Sequence, residues 1–92
     1  MRVVVIGAGE VGCHITERLV SERAEVVLID IDARRLEVAS DSLDVQTVHG
    51  FGGNHETLIK AGLTSADLLV AVTGHDDTHL LAGSMAQLLA TP

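Results

Sequence analysis

This chain is poor in aromatics, in cysteine and in positive charge, and each shortage closes off a class of protein. Phe51 is its one aromatic residue; there is no Trp and no Tyr. The core must therefore be built from Val, Leu, Ile and Ala, which suits a parallel sheet covered by helices on both faces. A single cysteine, Cys13, excludes an internal disulfide and fits a reducing compartment. Six Lys and Arg stand against 13 Asp and Glu, giving a formal charge of −7. Nucleic acid, whose phosphates need a basic face, is a poor partner for such a chain, and so is an anionic lipid surface. No apolar run approaches the ~20 residues that a membrane helix needs. The first apolar run leads straight into a glycine turn, so no signal peptide is expected. The expectation is a cytoplasmic chain.

What is present fits one domain. The chain has 92 residues, 47% of them hydrophobic, enough for one modest packed core over residues 1–92. The pattern predicts strands over Arg2–Ile6 and residues 25–29, 45–49 and 67–72. They are short and rich in β-branched residues or leucine, and most lack strict alternation, as strands covered on both faces do. The segment 45–49 alternates more, which predicts a position nearer an edge. Helices are expected over Glu10–Ser21 and residues 32–40, 54–61 and 76–89, with Asp32 as a cap and Gly62 as a helix stop. The order β-α-β-α-β-α-β-α predicts a Rossmann-like, doubly wound parallel α/β sheet with strand order 3-2-1-4. Further strands normally follow in this architecture, so the unit reads as truncated after its fourth βα unit.

The densest signal is Gly7-Ala-Gly9-Glu-Val-Gly12 between the first strand and the first helix. A lone G-x-G-x-x-G is weak, but here strand, helix, second strand and a terminal acid all surround it. Gly7 permits the turn, Gly9 lets a pyrophosphate approach the backbone, and Gly12 lets helix and strand pack closely. The amides from Gly9 to Gly12 would face the phosphates, with the helix dipole favouring the anion. Glu10 must turn to solvent or to another part of the ligand. Asp30, ending the second strand, can accept hydrogen bonds from both adenosine ribose hydroxyls and would repel a 2′-phosphate, which favours NAD(H) over NADP(H). Arg34 or Arg35 flanks the adenine or the phosphates, or else is simply solvated.

Other candidates carry less. His75-Asp-Asp-Thr-His79 has the two-histidine spacing of a helical metal site, but Asp stands where a protease would need Glu, and no third ligand follows. Cys13 lies on the first helical turn, where a thiolate could be stabilised; a small buried residue is the plainer reading. No nucleophile with its base and no pair of acidic groups assembles a catalytic centre, so neither catalytic nor metal residues are assigned, and binding without chemistry is expected.

Larger blocks carry a family resemblance. These are Met1-Arg-Val-Val-Val-Ile-Gly-Ala-Gly-Glu-Val-Gly12, Ile29-Asp-Ile-Asp32, Val48-His-Gly50, Leu58-Ile-Lys-Ala-Gly-Leu63, and Ala66-Asp-Leu-Leu-Val-Ala-Val-Thr73 with Asp76-Asp-Thr78. Together they resemble the TrkA N-terminal domain family, also called RCK or KTN domains, over nearly the whole chain. The resemblance implies an NAD(H)-binding regulatory domain of a bacterial Trk-type potassium uptake system, with ATP or ADP as ligands in related members. It implies a dimer-to-tetramer ring at the inner face of the membrane, beneath a membrane-embedded transporter subunit whose pore it gates. By the family pattern Gly7, Ala8, Gly9, Glu10 and Val11 hold the pyrophosphate and Asp30 the ribose, while Thr73 and Gly74 lie along the nicotinamide. Many such domains carry Gly-Asp after the third strand; here it is Gly50-Phe51, so that adenine contact is not carried over. The alternatives are the N-terminal half of an NAD-dependent dehydrogenase and the corresponding domain of a potassium efflux antiporter.

Overall fold

The computed structural model describes residues 1–72 and the strand Thr78–Ala82. Strand β1 (Arg2–Ile6) is the centre of the sheet, and its Val3, Val4 and Val5 are fully buried. Such a β-branched run suits a strand enclosed on both faces. Around it come α1 (Glu10–Ser21), β2 (Glu25–Asp30), α2 (Ala33–Ser42), β3 (Gln46–His49), α3 (His55–Lys60), a single 3-10 turn (Leu63–Ser65), β4 (Leu68–Val72) and β5 (Thr78–Ala82). The sheet order is β3-β2-β1-β4-β5. The first four strands run parallel, with β1 paired to β2 from Arg2↔Glu25 to Ile6↔Ile29 and to β4 from Val3↔Leu68 to Ile6↔Ala71. This is the Rossmann-like 3-2-1-4 arrangement that the sequence predicts, and β3 lies at the edge, as its alternation requires.

Alternation along the strands sorts the core into two layers. Val3, Val5, Val26, Leu28 and Val70 face α1 and α2, meeting Leu36 and Ala39. Val4, Val27, Ile29 and Leu69 face the opposite way, onto Leu58, Ala61, Leu63 and Ala66. Side-chain caps start α2 and α3. Asp32 accepts from the Arg34 and Arg35 amides at 2.9 and 3.4 Å, and Asn54 accepts from Glu56 and Thr57 at 2.8 and 3.4 Å. Gly62, left-handed at φ 78°, follows α3 as the sequence suggests. No helix among the described residues is long and apolar enough to cross a membrane.

One element differs from expectation. The helix read over residues 76–89 is not formed at Thr78–Ala82, which is a strand antiparallel to β4, paired from Val72↔Thr78 to Leu68↔Ala82. The remainder of that segment lies outside the described residues. A short run of leucine and alanine does not separate helix from strand by periodicity. Here the free backbone edge of β4 supplies a ladder of hydrogen-bond partners, and such pairing overrides helix propensity. The connection from Val72 to Thr78 is too short for a parallel crossover, so the pairing is antiparallel.

Candidate functional site

The chain leaves β1 and turns one way across the sheet through α1 to β2, then returns past β1 to reach β4. That change of direction opens a crevice at the carboxyl ends of the strands, the usual ligand position in such sheets. A cleft of about 610 Å³ occupies it. Its wall includes Gly7, Gly9, Glu10, Val11 and Gly12, together with Asp30 and Arg35, and Val72 from β4.

The glycine turn is shaped by two close approaches. Gly7 adopts φ 109°, and a β-carbon on it would stand 2.9 Å from the Val72 carbonyl oxygen. A β-carbon on Gly12 would collide with the Gly7 carbonyl oxygen, so α1 packs against the turn only because that position is glycine. Gly9 differs: a β-carbon there meets nothing closer than a terminal nitrogen of Arg35 at 3.8 Å. The space above Gly9 is thus open to a ligand and overlooked by a guanidinium. Gly9 caps α1 without any side-chain hydrogen bond. The first amides of a helix have no acceptor within it. Those of α2 and α3 are partly satisfied by Asp32 and Asn54, whereas α1 has no such cap and its first residues, Glu10, Val11 and Gly12, line the cleft.

Asp30 has a second task that sequence reasoning missed. The residue is only 8% exposed, and its two carboxylate oxygens each accept a backbone amide at 2.7 Å. Oδ2 takes the Ala8 N–H from the glycine turn, and Oδ1 takes the Asp32 N–H ahead of α2. The acid therefore pins the turn to the end of β2. A carboxylate has about four lone-pair directions, so two remain for ribose hydroxyls. The identity of residue 30 announces an acid at a strand end; that it closes on Ala8 follows only from β1 and β2 running side by side in register.

Arg35 lines the cleft while its side chain stays largely exposed, with its Nε 3.8 Å from Asp32 Oδ2. Arg34 is exposed and is not among the lining residues. Glu10 is exposed at the rim, as an acid beside an anion site must be. Cys13 donates its thiol to the Ala8 carbonyl at 3.2 Å. Burial pushes this thiol's pKa up, the Asp30 charge adds to that, and Arg35 offsets part of it. The helix start does not produce a thiolate here. Thr73, Gly74 and His75 lie outside the described residues, while His79 falls in β5, paired with Ala71. Among the described residues no group of three His, Cys, Asp or Glu side chains could hold a metal ion.

The residues present fit a nucleotide. Free amides and Arg35 stand where phosphates would lie, an acid with spare lone pairs stands where a ribose would lie, and Gly9 keeps the approach clear. A second groove, of about 480 Å³, lies at the opposite ends of the strands between Arg2, Arg23 and Asp44, and has no glycine turn.

Comparison with known proteins agrees with this geometry. Residues 3–91 match the model of the TrkA-N domain. The Trk system potassium uptake protein TrkA of Azorhizobium caulinodans is 46% identical over 89% of the chain, and TrkA homolog 1 of Methanosarcina mazei strain Goe1 is 47% identical over 97%. The chain spans about a fifth of those relatives, 18% and 19% of their lengths. Among solved structures, the TrkA-N domain of the inner membrane protein ybaL from Escherichia coli aligns with a TM-score of 0.70 at 26% identity, covering 76% of this chain and 51% of that one. A family match over nearly every residue, joined to a Rossmann-like sheet with its glycine turn intact, leads to one conclusion: the chain belongs to the TrkA-N domain family.

Proposed function

We propose that this domain binds NAD(H) in the cleft above Gly9 and acts as the sensing unit of a Trk-type potassium uptake system. The observation that carries the reading is the uncapped start of α1, whose first residues line a cleft that also holds Asp30 and Arg35. The α1 amides and Arg35 take the pyrophosphate, with Gly7, Ala8, Gly9, Glu10 and Val11 forming its cradle. Asp30 takes the adenosine ribose. A 2′-phosphate would bring more negative charge onto a carboxylate that is already buried, which disfavours NADP(H). Thr73 and Gly74, following β4, complete the nicotinamide side. Because Asp30 recognises any unphosphorylated adenosine ribose, ADP and ATP are the second ligand reading.

The relatives' names support a part in potassium uptake. In the role proposed here the domain is regulatory and acts on a membrane-embedded subunit from a homo-oligomeric ring at the cytoplasmic face. Nucleotide occupancy, not turnover, is then the output. The likeness to a TrkA-N domain of an inner membrane protein supports a second setting, in which the same domain is fused to the membrane protein it controls. Calorimetric titration tests the ligand. NADH should bind, with NADPH at least about tenfold weaker, a gap of about 1.4 kcal/mol. Equal affinity for the two would remove the role given to Asp30.

A further inference from the structure

We propose that Ile31 and Phe51 form a clamp that holds the purine base by stacking, so that the cleft selects for a flat ring without reading its 6-amino group. This rests on the nucleotide reading of the same cleft. Ile31 and Phe51 are 68% and 65% exposed, the two most exposed large apolar residues of the described chain, and both line the cleft. Phe51 is also the only aromatic in the sequence. A large side chain gains about 1.5–3 kcal/mol by burial, which a base seated between these two would recover in part.

The backbone of both jaws is held in place. They follow the carboxyl ends of β2 and β3, which are paired at Asp30↔His49. Ile31 is held through its carbonyl, 2.9 Å from His49 Nε2, and through the Asp32 amide on Asp30 Oδ1. The Phe51 carbonyl accepts the Asn54 amide at 2.9 Å. The Phe51 ring lies over Gly53, where a β-carbon would come within 2.6 Å of Cε2 and 2.8 Å of Cζ. Gly52 is packed onto the Ile6 side chain so closely that it too has no room for a β-carbon. The run Phe51-Gly52-Gly53 is therefore a seat for one ring. A ribose at Asp30 sends its base toward this side of the cleft. Among the described lining residues, Ile31, Phe51, Gly52 and Gly53 have no side chain able to form a hydrogen bond. Stacking accepts any purine, because every base has a π-face.

The test uses the 92-residue chain and calorimetry with NADH and with its hypoxanthine analogue, in which a carbonyl replaces the 6-amino group. The two should bind within about threefold of each other. Phe51→Ala should weaken both about tenfold, the loss of one stacking contact. Phe51→Trp introduces the sole indole of the chain, and ADP-ribose should quench its fluorescence. The clamp is overturned, with the site intact, if NADH binds Phe51→Ala as tightly as the parent or the hypoxanthine analogue is tenfold weaker. Failure of NADH to bind the parent chain overturns the site itself.

Discussion

Replacing Asp30 with alanine probes the joint between fold and site. The substitution strips the acceptor from two backbone amides, Ala8 N–H and Asp32 N–H, each now bonded at 2.7 Å. The first of these bonds is buried and the second is partly exposed. Hydrogen bonds to charged groups contribute about 1.5–3 kcal/mol, and an orphaned buried donor costs about 1–3 kcal/mol. Water can reach Asp32 but hardly Ala8, so most of the loss falls on Ala8, and a total of about 2–4 kcal/mol is expected. A domain of this length has roughly 5–14 kcal/mol of stability, so the variant should still fold. Its melting temperature should drop by about 8–32 °C, at about 4–8 °C per kcal/mol. Thermal unfolding followed by far-ultraviolet circular dichroism measures this. A drop of less than about 3 °C would refute the pinning role and leave Asp30 as a ligand group alone.

Other substitutions test neighbouring parts of the same reasoning. Gly12→Ala drives a methyl into the Gly7 carbonyl and should abolish the α1–turn packing, costing at least about 3 kcal/mol; a stable, soluble variant with unchanged melting would contradict the close approach. Thr16 is fully buried with its hydroxyl unpartnered, so Thr16→Val should stabilise the domain by about 1 kcal/mol, seen as a raised melting temperature. The raised Cys13 pKa predicts slower alkylation by iodoacetamide in the folded chain than in urea at the same pH. The linked sign is that of a neutral acid favoured by folding. Cys13's contribution to stability is complete below the unfolded thiol pKa and is lost as pH rises from there through the higher folded value. Denaturant midpoints measured across alkaline pH should fall in that direction.

The first third of the chain was legible because its local demands point the same way. The Val3–Val5 run, the glycine spacing and Asp30 gave β1, α1 and β2 to within a residue, since turn chemistry and burial agree. Gly62 marked its helix end for the same reason. Residues serving two partners were less legible. Asp30's bond to Ala8 depends on the pairing of β1 with β2, and the Phe51 ring's seat depends on Gly53 and on the packing of Gly52 against Ile6, which no local pattern encodes. Arg35's place at the cleft follows from where α2 lies beside the glycine turn, which the sequence does not encode locally. The strand at Thr78–Ala82 was missed because leucine and alanine favour a helix until a sheet edge offers partners.

The central claim is that the glycine turn grips a nucleotide at the carboxyl edge of the sheet. Amide chemical-shift mapping of the 92-residue chain with NADH tests it most directly. The account predicts that shifts concentrate at Gly9, Glu10, Val11, Gly12, Asp30 and Phe51, with Arg23 to Val27 at the opposite groove unmoved. Shifts centred on that opposite groove, or none at saturating NADH, would contradict it.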